Sequence, residues 1–119
     1  MTVSIYPRGA GIPYHVDSLS QFGRAVYAVS LASSVDMDFR NLKTKEMRSA
    51  FLKPRSAVVM LDQVRTDWEH GIKERRTDTD EHGNVWDRAP ERVSLTLRYV
   101  QPPLWFEERM VMDNTDNNI

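Results

Sequence analysis

The sequence predicts an all-β domain of the sandwich, barrel or jelly-roll kind, on three observations. Apolar and polar residues alternate over Val35–Arg40 and again over Val93–Tyr99, as in strands with one face in water. The run Ala57–Leu61 is apolar throughout, which is typical of a strand covered on both faces. Helical periodicity is weak along the whole chain. Short strands at such spacing favour a two-layered or closed β-fold.

The remaining elements follow in chain order from the same patterns. Strands are predicted over Thr2–Tyr6, Ile12–Asp17 and Tyr27–Leu31, which brings the set to about seven, and one helical turn is predicted over Asp62–Trp68. The polar segment Thr77–Pro90 is predicted to be a mobile loop. The breaks between strands carry turn residues, namely Pro7, Gly9, Gly11, Gly23, Asn41, Pro54 and Gly71.

Length and composition exclude several classes of protein. The 119 residues suffice for one domain with a modest core. Lysine and arginine number 16 against 17 acidic residues, so the net charge of −1 excludes binding to nucleic acid by bulk positive charge. The absence of cysteine excludes disulfide frameworks and zinc ribbons. Ala57–Leu61, the longest apolar run, is far below the roughly 20 residues of a membrane helix. With no secretion signal visible, we expect no membrane partner and a cytoplasmic or nuclear location.

Three ionisable residues form a candidate metal site. His15 and Asp17 lie two apart on a predicted strand, so their side chains share one face about 6–7 Å apart. If His70 folds back onto them, two imidazoles and one carboxylate occupy one face of an octahedral metal and leave three positions open. That donor set suits non-haem Fe(II). Taken by its spacing alone, the His15–Asp17 pair is more typical of an ordinary turn or surface pair. A cupin-type metal site would require more histidine than the three residues present.

The last predicted strand carries a polar stripe. Arg92, Ser94, Thr96 and Arg98 alternate with apolar residues and therefore share one face. Two arginines on an inward face need an anionic partner, and a dicarboxylate would supply it because a guanidinium grips a carboxylate with two hydrogen bonds. The alternative is an ordinary polar face in solvent.

These residues, in this order, resemble the AlkB family of Fe(II)- and 2-oxoglutarate-dependent dioxygenases. The resemblance runs from about Val3 to Tyr99 and is strongest to the subgroup that hydroxylates a modified wobble uridine of transfer RNA. It is carried by five blocks: Gly11–Ser18, Val29–Ser33, Met37–Arg40, Leu52–Met60 and Trp68–Ile72.

The resemblance implies a double-stranded β-helix, also called a jelly roll. It implies that His15, Asp17 and His70 bind Fe(II), that 2-oxoglutarate is the co-substrate, and that the chain hydroxylates or demethylates a base in nucleic acid, RNA rather than DNA. A basic cluster, Lys73–Arg76, follows the last of these residues closely. This cluster is compatible with a phosphate contact and equally with a solvated strand end.

The resemblance also implies roles for residues around the co-substrate. Arg98 matches the arginine that clamps the distal carboxylate of 2-oxoglutarate, and Arg92 matches the one near the aspartate ligand and the other end of the co-substrate. Tyr6 matches a tyrosine whose hydroxyl contacts the co-substrate. Ser94 stands where many relatives have asparagine, and Ser4 replaces a frequent asparagine.

The domain limits are expectations of the same resemblance. The family carries an N-terminal segment with early strands and a lid, whereas the motif tyrosine here is already Tyr6. We therefore expect a dioxygenase core over residues 1–104 whose jelly roll is incomplete at the N-terminus, a loosely ordered tail over 105–119, and self-association through an exposed sheet edge. The alternative is a catalytically inactive, truncated module that binds a metal or a partner.

Overall fold

The computed structural model describes residues 1–100, which form two four-stranded antiparallel sheets, a two-stranded hairpin and one short helix. The expected tail lies outside these residues. No helix within residues 1–100 has the length and apolar character to cross a bilayer. The elements are β1 (Thr2–Pro7), β2 (Ile12–His15), β3 (Phe22–Ala32), β4 (Val35–Asn41), β5 (Met47–Leu52), β6 (Ser56–Met60), α1 (Asp62–Thr66), β7 (Trp68–Ile72), β8 (Thr77–Thr79), β9 (Val85–Asp87) and β10 (Glu91–Val100).

The two larger sheets face each other across the core. The first has the strand order β1-β10-β3-β6 and the second β2-β7-β4-β5. Alternate residues of β3 and β4, such as Val26 on one and Met37 on the other, point into the space between the sheets. The buried apolar cluster draws on both sheets and consists of Val26, Ala28, Val35, Met37, Phe39, Leu52, Met60 and Ile72.

The chain passes from one sheet to the other at tight turns. Ser33, between β3 and β4, has φ of 67°, and Arg55, between β5 and β6, has φ of 61°. Both turns let consecutive strands belong to opposite sheets, which is how a jelly roll is built. The predicted all-β, jelly-roll-like fold is confirmed, and the helix predicted over Asp62–Trp68 is present as α1. Strand β5 was not predicted, because its sequence shows no clean alternation.

The prediction of a mobile loop over residues 77–90 is wrong. β8 and β9 pair there as an antiparallel hairpin. The reason is a buried ion pair: Arg88 donates to both carboxylate oxygens of Asp78 at 2.8 and 3.0 Å, and Arg75 adds a third bond at 3.1 Å. A polar composition resembles that of a loop, but here the charges are paired inside the fold rather than solvated.

The outer face of the first sheet is apolar. Register across the four strands aligns Val3 with Leu95 and Leu97 with Tyr27, and Tyr27 in turn with Val59. Large apolar side chains on this face are between 38% and 74% exposed: Val3, Ile5, Tyr27, Leu31, Val59, Leu97 and Tyr99. An apolar stripe that crosses a whole sheet is typical of an interaction surface.

Candidate active site

Pairing of β2 with β7 brings the two histidines of the site together. His15 lies opposite His70 in the antiparallel register, and their ring centroids are 4.4 Å apart. Gly71 permits this close pairing, since a Cβ there would lie 2.7 Å from the carbonyl oxygen of Ile12. On its other side β7 pairs with β4, which places Phe39 against the His70 ring at 6.2 Å between centroids.

Asp17 completes the group from just beyond the end of β2. The strand was predicted to run through Asp17, but it ends at His15. The Asp17 side chain is 7% exposed, and its Oδ2 lies 3.7 Å from His70 Nε2. One donor atom each from His15, Asp17 and His70 lies within 4.8 Å of the others. Three such atoms can bind one metal ion from one side.

The His70 imidazole is held in the form that binds a metal. Burial, together with the neighbouring His15, lowers the pKa of His70 to about 4. His70 is therefore neutral near pH 7 and keeps a free lone pair. The Nδ1 of His15 lies 2.9 Å from the carbonyl oxygen of Pro13 and donates to it, which leaves Nε2 as the lone-pair nitrogen.

Arg98 holds the Asp17 carboxylate from the other side. Its Nε and a terminal nitrogen donate to Asp17 Oδ1 at 3.1 and 2.9 Å. Because Arg98 engages Oδ1, the Oδ2 oxygen remains directed at His70 and available to a metal. The guanidinium also stacks over Phe22, with 5.2 Å between its central carbon and the ring centroid.

Arg65 fixes the backbone of the metal-binding segment, and sequence analysis missed it. From α1, its guanidinium donates to the carbonyl oxygens of Asp17 at 2.6 Å, Ser18 at 2.9 Å and Gly23 at 3.2 Å. Only 4% of Arg65 is exposed. A single arginine on a polar helical turn gives no sequence signal that it is buried, so only the fold reveals this contact.

Arg65→Lys should weaken metal binding, because one ammonium cannot serve three separate carbonyl oxygens. Loss of such a supporting contact typically lowers metal affinity by about 10- to 100-fold. The dissociation constant for Mn(II), measured by the paramagnetic effect of the free ion on water relaxation, checks this. Arg24→Lys, whose partner Asp62 is exposed, is the matched control and should bind Mn(II) as the wild type does. Unchanged affinity in Arg65→Lys would show that Arg65 does not support the site.

A cavity of about 130 Å³ opens beside the three residues, between the two sheets. Its volume suits a small ligand rather than a drug-sized one. The antiparallel register of β1 and β10 puts the predicted polar stripe on its wall. The lining residues from these strands are Thr2, Ser4, Tyr6, Arg92, Ser94, Thr96 and Arg98.

The two arginines of the stripe make different contacts. Arg98, not Arg92, contacts Asp17. Arg92 is 9% exposed, and one of its terminal nitrogens donates a hydrogen bond to Ser30 Oγ at 3.2 Å. Its buried Nε has no acceptor within residues 1–100. The structure favours Arg98 as the arginine beside the aspartate ligand, and the co-substrate contacts expected of both arginines stay predictions. A buried guanidinium with an unused donor, on the wall of a cavity, fits an anionic ligand.

Tyr6 and Ser94 line the same cavity as the two arginines. Tyr6 pairs with Arg92 across β1 and β10, and the Arg92 guanidinium carbon is 5.8 Å from the tyrosine ring centroid. Ser94 is 6% exposed and faces the same cavity. Together they give the wall of the cavity that Arg92 lines two hydroxyl groups.

This architecture, a jelly roll with a His-Asp-His group and buried arginines, defines a metal-dependent oxygenase site. The model of the 2OG-Fe(II) oxygenase superfamily matches residues 1–98. The chain therefore belongs to the 2OG-Fe(II) oxygenase superfamily. This confirms the predicted class, that of the Fe(II)- and 2-oxoglutarate-dependent oxygenases, and the family implies Fe(II) and 2-oxoglutarate as cofactors.

Curated relatives support the AlkB resemblance, which is confirmed. The chain is 29% identical to an Arabidopsis thaliana "alkylated DNA repair protein ALKBH8 homolog", over 85% of this chain and 34% of the relative. It is 37% identical to a mouse "tRNA (carboxymethyluridine(34)-5-O)-methyltransferase ALKBH8", over 66% of this chain and 12% of the relative. An uncharacterized protein of Acanthamoeba polyphaga mimivirus is 30% identical, over 94% of this chain and 50% of the relative. The chain thus spans half or less of the length of these relatives.

The residues present fit both cofactors that the family implies. Two imidazoles and one carboxylate are the donors typical of non-haem Fe(II). The unpaired Nε of Arg92, on a residue that lines the cavity, fits a carboxylate of 2-oxoglutarate. The site therefore offers one metal position and one anion position on the same cavity wall.

Proposed function

We propose that residues 1–104 form a dioxygenase domain that oxidises a base in nucleic acid, and that its substrate is a modified uridine of transfer RNA. The observation that carries the catalytic part is the convergence of His15, Asp17 and His70 beside an arginine-lined cavity. The nucleic-acid part is supported by the printed names of the mouse and Arabidopsis relatives.

Each residue of the site has a distinct task in this proposal. His15, Asp17 and His70 would hold Fe(II), and Arg92 would hold a carboxylate of 2-oxoglutarate with help from the Tyr6 hydroxyl. When bound, the iron and 2-oxoglutarate supply the chemistry that oxidises a C–H bond of the substrate. The chain itself positions these groups and keeps water away from them.

Arg92→Lys should weaken 2-oxoglutarate binding at least about tenfold, because charge-assisted hydrogen bonds contribute about 1.5–3 kcal/mol each and lysine loses the fork geometry. Arg98→Lys should instead weaken metal binding, since Arg98 contacts Asp17. Isothermal titration with 2-oxoglutarate and with Mn(II), on both variants, separates the two roles. If Arg98→Lys alone lost affinity for 2-oxoglutarate, the two assignments would have to be exchanged.

Two experiments test the proposed function. Anaerobic addition of Fe(II) and 2-oxoglutarate should produce a visible charge-transfer band. Succinate release should then rise with an anticodon stem-loop that carries a modified wobble uridine, more than with the unmodified stem-loop or with methylated single-stranded DNA. A higher rate with methylated DNA would move the substrate from RNA to DNA. A charge-transfer band without succinate release on any of them would favour the inactive binding module.

The basic cluster over residues 73–76 contributes little free charge to substrate binding. Arg75 is engaged with Asp36 at 3.3 Å and with Asp78 at 3.1 Å. Lys73 lies 3.7 Å from Asp38 Oδ2 on a side chain that is 57% exposed, so Arg76 is the one cation of the cluster without an ion pair among residues 1–100. We therefore expect only a shallow loss of RNA affinity with salt from this cluster, because each phosphate neutralised adds about one to the slope of log affinity against log salt.

The proposal extends to assembly and location. Self-association is expected because β1 is an edge strand of the first sheet and carries the exposed Val3 and Ile5 on its outer face. Sedimentation velocity should show association that increases with protein concentration, and a single monomeric species over the whole range would contradict it. A transfer RNA substrate would place the protein in the cytoplasm or the nucleus.

A further inference from the structure

A second cleft lies on the outer face of the second sheet. It has a volume of about 250 Å³ and runs over β7 at Gly71, which has no side chain. Tyr14 of β2 forms one wall, and Asp38 of β4, which pairs with Gly71 in the register, forms the other. Arg40 covers the Tyr14 ring at 4.2 Å from its guanidinium carbon to the ring centroid.

Asp38 lines this cleft, and one of its carboxylate oxygens accepts no hydrogen bond from residues 1–100. Its side chain is 5% exposed, and Ser49 Oγ donates to Oδ1 at 2.6 Å. No donor among residues 1–100 lies within hydrogen-bond distance of the buried Oδ2. The nearest cation is the Lys73 ammonium, 3.7 Å from Oδ2 and on a side chain that is 57% exposed. A buried carboxylate oxygen without a donor is costly unless a bound group donates to it.

The polar atoms of the cleft specify the ligand chemistry. Asp38 Oδ2 can accept one hydrogen bond from a ligand, and the Lys73 ammonium, 3.7 Å away, can donate one to it. A planar group that carries an amine next to a ring acceptor satisfies both. In protein–nucleic acid complexes, aspartate accepts from the N4 amine of cytosine, and aromatic rings such as Tyr14 contact unstacked bases.

The geometry points to a subsite for a cytosine base in this cleft, with its amine on Asp38 and its ring acceptor on Lys73. This inference rests on the proposed function in taking the ligand to be part of a nucleic acid. The cleft and the catalytic cavity share Ile12, Gly71 and Ile72 as a common wall. Because β2 is an edge strand of its sheet, a single strand of RNA can pass around it from one cavity to the other.

The test uses cytidine and uridine 5′-monophosphates, which differ at the base by an amine in place of a carbonyl. With the full chain free of iron, the cytidine nucleotide should bind at least about tenfold more tightly, as expected for one good base contact. The amide signal of Gly11, which lines this cleft and not the catalytic cavity, should shift on binding. Saturating 2-oxoglutarate should leave the affinity unchanged. Equal affinities, or displacement by 2-oxoglutarate, would overturn the subsite.

Two variants test which side chains produce the preference for the cytidine nucleotide. Asp38→Asn keeps the shape of the side chain but replaces one acceptor oxygen by a donor, so the ratio of the two affinities should fall toward one. The Lys73 side chain is 57% exposed, so Lys73→Gln does not change the packing of the core. This variant should bind the cytidine nucleotide several-fold more weakly. A tenfold preference retained in folded Asp38→Asn, or Lys73→Gln binding as the wild type does, would overturn the assignment. Because none of these measurements needs iron, turnover that persists without the base preference would remove the subsite and leave the dioxygenase proposal intact.

Discussion

Asp17→Ala is expected to abolish turnover and to lower metal affinity by at least about 100-fold. Asp17 is the single carboxylate of the His-Asp-His group, so its loss removes one donor and the negative charge that offsets the metal. The same change leaves Arg98 without its partner, which places a positive charge beside the metal position. Succinate release and Mn(II) binding measure the two effects separately.

The control is Asp87→Ala, which removes an exposed carboxylate on β9, away from the cavity. This variant should bind Mn(II) and turn over as the wild type does. A thermal melt of both variants shows whether Asp17→Ala is folded. If folded Asp17→Ala kept Mn(II) affinity within a few-fold of wild type, the metal would lie elsewhere and the site would have to be reassigned.

The strands that carry the site could be predicted because their signals are local. Strict alternation in β4 and β10 fixes which residues share a face, and this is the face the structure turns inward at Arg92 and Arg98. The contact between His70 and His15 could not be predicted in this way, because no residue near His70 in the sequence indicates it. Only the family resemblance supplied that long-range contact, and the β2–β7 register makes it.

The contact between Arg98 and Asp17 could not be predicted from the sequence pattern. Alternation places Arg92 and Arg98 on one face but does not say which end of the strand lies beside Asp17. That depends on the register of β10 against β1 and β3, including irregularities after Val93 and Arg98, and on Asp17 lying beyond its strand. These are non-local properties, so they cannot be predicted from a local pattern.

The prediction of a loop for the polar segment after β7 was wrong for a related reason. Propensity treats aspartate and arginine as solvated groups, and the hairpin therefore resembles a loop by composition. In the structure Asp78 and Arg88 are 3% and 7% exposed, and each is buried with its partner. A buried ion pair cannot be predicted from local sequence when its partners are ten residues apart, one on an unpredicted strand and the other just after one.

Asp78→Ala is accordingly expected to destabilise the chain by about 3–5 kcal/mol, since it leaves the buried Arg88 without its counter-ion. Domains of this kind are stable by only about 5–15 kcal/mol, so a large part of the folding free energy is at stake. Burial raises the pKa of Asp78, but the hydrogen bonds and charges of Arg88 and Arg75 outweigh it and hold the pKa below its ordinary value of 3.8. The wild type therefore keeps this stabilisation above pH 3.8 and loses it as the pH falls further.

Urea unfolding at pH 7 measures the effect, with Thr79→Ala as the control because Thr79 is exposed on the same strand. The double variant Asp78→Ala, Arg88→Met separates the ion pair from simple loss of packing. Removing Arg88 as well deletes the uncompensated charge, so the double variant should be more stable than Asp78→Ala alone. If the double variant were instead as unstable as the sum of both single changes, the two side chains would act independently. The hairpin would then be anchored by something other than their pairing.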